Sequence, residues 1–341
     1  MQKKPIVTAD RRSFLKLMCA GTVAAAGAAG AAPAAAPAAK AAAAMPKGKI
    51  GKLELGRLML GTNHITFYMH SRDLRYVNDL SRHYNTDAKI FETFAAAEAA
   101  GVDTFITHSD PKIEKLFCEY RDRRGGKMNW IVAPWFSAEG MVKDLAAYKR
   151  IVPQLVNSGV DALYVPGMLA GPLVNQGQGA QIGELLEVLK ATGLPSGISS
   201  HGLDVVQFCE KQKLPIDFYV KTFHHLKYPT APKQEELATL RQSQKRHPNS
   251  DLLADYAEVP GYWCGNPDET IAYMKTVTKP WIAFKVMAAG AIPPRDGFKY
   301  AFANGADFIL AGMFDFQVAD DAQIAREVLA QLKTRPRPWC G

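Results

Sequence analysis

The chain has 341 residues, of which 48% are hydrophobic and 22% charged, with 27 glycines and 21 prolines. This balance is typical of an ordinary globular protein and excludes collagen, coiled coil and wholesale disorder. The formal net charge is +8, but the first 44 residues hold six basic residues and one acidic residue, which leaves +3 for the rest. Without a basic stripe after residue 44, the sequence predicts no nucleic-acid partner.

The N-terminus contains the run Asp10-Arg11-Arg12-Ser13-Phe14-Leu15-Lys16, followed by an Ala/Gly-rich stretch over 17–32 and several A-x-A sequences up to Ala44. This order of charged, apolar and small-residue blocks resembles the signal read by the twin-arginine translocation machinery. We therefore expect residues 1–44 to be removed, and the mature protein to be periplasmic or extracellular. No later stretch supplies roughly 18 consecutive apolar residues, so we expect no stable membrane insertion.

From Lys49 onward, short runs of strand-forming residues alternate with stretches of helical periodicity, which indicates βα units around a parallel sheet. The predicted strands are Leu58 to Thr62, Thr104 to His108, Trp130 to Trp135, Ala162 to Pro166, Ser196 to Ser200, Phe218 to Thr222, Ile282 to Met287 and Phe308 to Gly312. Eight such units are the number that closes a barrel.

One joint between helix and strand recurs at three distant places: Gly101-Val102-Asp103, Gly159-Val160-Asp161 and Gly305-Ala306-Asp307. The glycine suits a left-handed helix C-cap, and the repetition favours an α/β fold of the (β/α)8 TIM-barrel type as a single domain over 49–335. An open sheet would need a Gly-rich dinucleotide turn after its first strand, which the sequence lacks. We expect the long loops at 63–87 and 226–265 to be lids or binding walls.

Chemistry in such a barrel lies where strands end, and two lysines stand there, Lys221 on strand six and Lys285 on strand seven. We expect both side chains to point into the barrel. A buried amine whose pKa falls is the nucleophile that forms Schiff bases with carbonyl substrates, and two neighbouring lysines would lower each other's pKa. The alternative is that each lysine reaches the rim or pairs with an acidic side chain.

The segments Asp217-Phe218-Tyr219-Val220-Lys221-Thr222 and Phe284-Lys285-Val286-Met287-Ala288-Ala289-Gly290-Ala291-Ile292 resemble the paired-lysine segments of deoxyribose-phosphate aldolase and its class I relatives. The resemblance implies Lys221 as the Schiff-base former and Lys285 as its perturbing partner. With His201 and His224 as proton shuttles, the leading hypothesis is a lyase or isomerase of a small oxygenated or sugar-like carbonyl compound.

A second hypothesis is a metal-dependent hydrolase or isomerase. His201, His224 and Asp315 follow strands five, six and eight, and resemble the metal-binding ends of barrel hydrolases of the amidohydrolase kind. Imidazole and carboxylate ligands suit a divalent zinc, iron or manganese ion that activates water.

Two further resemblances leave the function open. Leu55-Gly56-Arg57-Leu58-Met59-Leu60-Gly61-Thr62 and Ala99-Ala100-Gly101-Val102-Asp103-Thr104 resemble the opening of aldo-keto reductases, in which an Asp, Tyr, Lys and His tetrad transfers hydride from NADPH. No Tyr-plus-Lys pattern of that kind follows in strands two to four. The chain after Lys49 also resembles a family of exported barrel proteins without an established activity, so a non-catalytic solute-binding barrel is the remaining alternative.

Six further residues are candidates for contacts with a small-molecule substrate. Small residues after strands seven and eight allow backbone amides to approach a phosphate, and an aromatic ring near the mouth could stack on a sugar. The candidates are Asn63, Arg72, Trp263, Gly290, Gly312 and Gln317.

Overall fold

Eight parallel strands close into a barrel in the computed structural model, which describes residues 44–69, 74, 76–135, 145–233, 235 and 264–341. The barrel strands are β3 (Leu58–Gly61), β4 (Thr104–His108), β5 (Asn129–Ala133), β6 (Ala162–Val165), β7 (Ser196–Ser200), β8 (Phe218–Thr222), β9 (Trp281–Phe284) and β10 (Phe308–Gly312). Each strand pairs with the next in the chain, and β10 pairs with β3. The predicted (β/α)8 fold is confirmed.

Ten helices lie in the described part of the chain. They are α1 (Tyr76–Tyr84), α2 (Asp87–Ala99), α3 (Pro111–Arg124), α4 (Leu145–Asn157), α5 (Gly167–Asn175), α6 (Ala180–Lys190), α7 (Asp204–Lys211), α8 (Pro267–Met274), α9 (Pro294–Ala303) and α10 (Asp315–Gln331). None of these helices has the length and apolarity that crossing a membrane requires. The proposed signal, residues 1–43, lies outside the described residues.

A β-hairpin precedes the barrel and was not among the predicted strands. It consists of β1 (Lys47–Ile50) and β2 (Leu53–Gly56), joined by a two-residue turn with Gly51 at φ +56°. A left-handed residue is what such a tight turn requires. Ile50 and Leu55 are fully buried against side chains of the barrel interior, so the hairpin closes the N-terminal end of the barrel.

The recurring helix-to-strand joints have the backbone that the sequence predicted. Gly101, Gly159 and Gly305 have φ of +79°, +81° and +110°. Because residues with a Cβ are strained in this region, glycine lets each helix end and turn directly into the next strand.

The aspartates of two of the three joints hold the preceding strand in place, whereas Asp103 accepts the backbone N–H of Gly56 at the end of the hairpin at 2.8 Å. Asp161 accepts a hydrogen bond from the backbone N–H of Trp130 at 2.8 Å, and Asp307 accepts one from that of Trp281 at 3.0 Å. Asp217 does the same for the first residue of β7 at 2.7 Å, although no glycine precedes it. The repeat therefore sets strand register through a carboxylate that bridges neighbouring strands.

Side chains alternate between the two faces of the barrel wall. On β8, Phe218 and Val220 pack in a cluster built from strand residues, which is the barrel interior, whereas Tyr219 and Phe223 pack in the cluster that includes the helices. The interior is tightly filled, since a Cβ on Gly197 of β7 would stand 2.6 Å from the ring of Phe218. Odd- and even-numbered residues of β8 thus face opposite sides.

A pair of glycine substitutions tests the joint. Gly159→Ala meets no atom within 4 Å but stands at φ +81°, so strain alone should lower the free energy of unfolding by about 1 kcal/mol. Gly183→Ala in α6 has no left-handed backbone to accommodate and should raise it by roughly 0.5 to 1 kcal/mol. Urea titrations of both variants measure these changes. A change in the free energy of unfolding that has the same sign in both variants would contradict the role of Gly159.

Candidate active site at the barrel mouth

The carboxyl ends of β7, β8 and β9 bring the predicted lysines and histidines to one sector of the barrel mouth. Ser200 pairs with Lys221 and Lys221 with Ala283, while Thr222 pairs with Phe284. His201 and Lys285 follow these pairs directly in sequence, and His224 lies two residues after Thr222. The register therefore gathers residues that are up to 84 positions apart.

Lys285 reaches the mouth because the regular strand ends before it. Strand β9 stops at Phe284, three residues earlier than predicted, and Lys285 has φ +58°. This left-handed backbone interrupts the alternation of side chains and carries the ammonium over the Phe284 ring, 5.7 Å from its centroid. The His201 ring meets the same phenyl ring edge to face at 5.3 Å. Lys285 is half-buried.

Lys221 does not point into the barrel, which corrects the expectation from the sequence. It shares the outer face of β8 with Tyr219 and is fully buried. Its Nζ donates hydrogen bonds to the carbonyl oxygens of His201 and Thr222, both at 2.7 Å. These bonds hold the ends of β7 and β8 together on the outer side of the barrel wall. This placement does not support Lys221 as the amine that contacts a substrate.

His224 is a buried imidazole held in one tautomer. Its Nδ1 lies 2.9 Å from the carbonyl oxygen of His225, so Nδ1–H donates and Nε2 keeps its lone pair. The pKa of His224 is lowered to about 4, chiefly by burial and to a smaller extent by the charges of Lys221 and Lys285. The ring is therefore neutral near pH 7.

His225, the neighbour of His224 in the chain, serves the fold. Its Nδ1 accepts the backbone N–H of Lys227 at 3.0 Å, and its Nε2 lies 3.2 Å from a carboxylate oxygen of Asp296 in α9. The ring also meets Tyr300 of the same helix edge to face at 5.1 Å. With both ring nitrogens engaged, His225 anchors the segment after β8 to α9.

The metal site predicted on His201, His224 and Asp315 is not supported. Within the described residues, no three His, Cys, Asp or Glu side chains are grouped so that they could hold a metal ion. Asp315 instead accepts a hydrogen bond from Tyr84 at 2.6 Å and pairs with Lys89 at 3.2 Å. Burial raises the pKa of Asp315, but these two partners outweigh it and keep the carboxyl ionised. Its oxygens are thus already committed beside β10.

The phosphate site expected after strands seven and eight is also not supported. Helix α9 begins with Pro293 and Pro294, which lack amide hydrogens, and carries Asp296 in its first turn. Gly290, expected to approach a phosphate, is exposed in a left-handed turn at φ +81°. The two missing amide hydrogens and the carboxylate make this end of the helix unfavourable for an anion.

Gly312 and Gln317 support the structure beside β10. A Cβ on Gly312 would stand 3.3 Å from Nδ1 of His64, so glycine makes room for that ring. The Oε1 of Gln317 accepts the N–H of Phe314 at 3.1 Å and caps α10. Both residues are exposed, and their predicted roles at a substrate stay predictions.

The remaining substrate candidates are not brought together by the described residues. Asn63 is exposed at the end of β3. Arg72 and Trp263 lie outside the described residues. Their predicted roles stay predictions.

Two further histidines stand at strand ends and were not chosen from the sequence. His108 ends β4 and contacts the exposed Tyr68 edge to face at 5.1 Å, and burial lowers its pKa. His64 follows β3, is 4% exposed and packs against Phe314 at 5.0 Å. Burial lowers the pKa of His64 to about 4, against a smaller opposing effect of the Met313 backbone. The feature of the sequence that could have identified these two histidines is their position at strand ends.

Comparisons with known proteins show the fold. No protein-family model and no curated protein matches the chain. A provisionally assigned aldo-keto reductase from Pseudomonas aeruginosa shares 17% identity over 83% of this chain and 94% of its own, with a TM-score of 0.53. The holo form of an aldo-keto reductase from Bacillus halodurans shares 11% identity over 85% of this chain and 97% of its own, with a TM-score of 0.51.

The buried imidazoles predict how stability depends on pH. His64 and His224 have pKa values of about 4 when folded and an ordinary value of 6.5, so the unfolded chain binds protons more readily. The contribution of these neutral imidazoles to the free energy of unfolding is complete above pH 6.5. It is lost as the pH falls towards 4, by about 3 kcal/mol for each histidine.

Urea titrations between pH 4 and 7.5 measure this slope. His64→Gln should make the loss of stability between pH 6.5 and 4 shallower, whereas His83→Gln, at an exposed position of α1, should leave it unchanged. Parallel curves for the wild type and His64→Gln would contradict a neutral, buried His64.

Proposed function

We propose that the protein is an enzyme that acts on the carbonyl group of a small polar compound at the mouth of its barrel. The observation that carries the proposal is the position of Lys285 over the Phe284 ring, which the His201 ring also contacts, and near the imidazole of His224. A half-buried amine with neighbouring imidazoles can add to a carbonyl and transfer protons.

The chemistry that these side chains support best is imine formation at Lys285. The deprotonated Nζ attacks the carbonyl carbon, the oxygen is protonated and leaves as water, and a protonated imine remains. The lone pair on Nε2 of His224 and the His201 imidazole are the groups that can relay the protons. Such an imine serves either a lyase or an isomerase, because both need an electron sink next to the bond that changes.

Carbonyl reduction is the second candidate, and the likeness to aldo-keto reductases favours it over lyase or isomerase chemistry. Tyr68 beside His108 supplies a hydroxyl that could protonate a carbonyl oxygen. However, β5 and β6 lead into Pro134 and Pro166, where neither a lysine nor a histidine is present. The prolines and Asp296 at α9 also do not fit a cofactor phosphate there, so we assign no step to NADPH.

Borohydride trapping tests the imine. The protein is incubated with small aldehydes and ketones, reduced, digested and analysed by mass spectrometry for the modified lysine. We expect the adduct on Lys285 and its loss in Lys285→Gln, while Lys299, exposed on α9, reports non-specific labelling.

The same samples separate the two candidates. Absence of any adduct at Lys285, together with NADPH-dependent reduction that falls at least tenfold in Tyr68→Phe, would replace imine chemistry by reduction. If neither an adduct nor turnover is detected, the solute-binding alternative is the one that remains.

Export by the twin-arginine route remains part of this proposal and rests on the sequence alone. Changing Arg11 and Arg12 to lysine keeps the charge but removes the paired arginines. We expect this variant to accumulate in the cytoplasmic fraction, whereas Lys3→Arg with Lys4→Arg is exported normally. Equal export of both variants would contradict the proposed signal.

A further inference from the structure

The N-terminus of α5 opens directly onto the barrel mouth. Strand β6 ends at Val165, Pro166 is the N-cap, and the helix runs from Gly167 to Asn175 without a side chain that caps its first turn. The N–H groups of Gly167 and Met168 have no carbonyl four residues earlier within the helix to bond. The partial positive charge of the helix end is directed towards the same side of the barrel as Lys285.

A buried hydroxyl stands at this helix end. Ser199 of β7 is 6% exposed, and its Oγ would lie 3.1 Å from a Cβ placed on Gly167. Ser199 belongs to the interior face of β7, because Ile198 packs in the outer cluster and the space in front of Gly197 is filled by an interior ring. Among the described residues, the Ser199 hydroxyl has no hydrogen-bond partner.

A second interior hydroxyl lies on the adjacent strand. Thr222 ends β8 on the same face as Val220 and is fully buried, and its Oγ1 has no hydrogen-bond partner among the described residues. A buried hydroxyl without a partner costs free energy, as for Thr222, and the hydroxyl of Ser199 stands on the neighbouring strand end. The pair suits a ligand that accepts hydrogen bonds.

We infer that the first turn of α5, with the hydroxyls of Ser199 and Thr222, binds the carboxylate of an oxo acid whose carbonyl group faces Lys285. This inference rests on the proposed carbonyl chemistry and names its substrate class. The donors are few and neutral, which suits a planar carboxylate. Lys221 lies on the outer face of β8 and Lys285 directly after β9, and their positive charges add a favourable electrostatic field for an anion.

The experiment compares oxo acids with a neutral ketone on the full chain. Binding of pyruvate, 4-oxopentanoate and hydroxyacetone is measured by titration calorimetry, and backbone amide shifts are followed by NMR in the wild type. We expect at least one oxo acid to bind tenfold or more tightly than hydroxyacetone, and to shift the amides of Gly167 and Met168.

Matched variants locate the subsite. Ser199→Ala should weaken binding of the oxo acid about tenfold and leave hydroxyacetone unchanged. Ser196→Ala, at the other end of β7 where its hydroxyl bonds Leu194, should change neither. Gly167→Ala is a second variant, which places a Cβ 3.1 Å from the Ser199 Oγ at the first turn of α5. It should also weaken binding of the oxo acid, although the Ser199 hydroxyl stays present.

Three outcomes would overturn the inference. Equal binding of oxo acids and hydroxyacetone, unaffected by Ser199→Ala, would remove the carboxylate subsite but retain a carbonyl site. Tighter binding of nicotinamide than of either oxo acid, lost in Ser199→Ala, would show that the subsite recognises an amide and would favour the reductase candidate. No binding of any of these probes would overturn the subsite and the proposed function together.

Discussion

The alternation of side chains across the barrel wall decides which polar groups can meet a ligand. On β8 it sends Lys221 outward and Thr222 inward, and on β7 it sends Ser199 inward. Lys285 escapes this constraint only because its backbone is left-handed, at φ +58°. A non-glycine residue in this region costs about 1 kcal/mol or more, so the surrounding contacts must hold it there. The position of one amine at the mouth thus depends on a local strain at the end of β9.

The two lysines have different tasks as a result. On the outer side of the barrel wall, the ammonium of Lys221 donates hydrogen bonds to the carbonyl oxygens of His201 and Thr222. A buried charge is tolerated when such dipoles replace water. From there its charge still helps to keep His224 neutral. Lys221 is therefore a positioning residue for the imidazoles, and the half-buried Lys285 is the amine on which the proposed chemistry depends.

Much of the barrel could be predicted from the sequence, because its joints repeat a local chemistry. Glycine at a left-handed helix end and aspartate before the strand are visible as residue types, and the structure confirms the glycine backbone at Gly101, Gly159 and Gly305. The hairpin over Lys47–Ile50 and Leu53–Gly56 was not predicted because its first strand has Ile50 as its single strand-forming residue, so no apolar run marks it. The face of Lys221 and the early end of β9 depended on register and backbone dihedrals, which apolar patterns do not specify.

The contrast between the two ends of the barrel supports a ligand at the mouth. At the N-terminal end, the buried carboxylate of Asp307 accepts hydrogen bonds from Arg337 at 2.6 Å and from the backbone N–H groups of Cys340 and Trp281 at 2.9 and 3.0 Å. That network serves stability, since its charge is matched within the protein. At the mouth, the fully buried hydroxyl of Thr222 has no such partner among the described residues, and the hydroxyl of Ser199 stands on the neighbouring strand end. A barrel retained only as a scaffold would gain stability by replacing them with apolar side chains, so their presence favours a bound molecule that accepts hydrogen bonds.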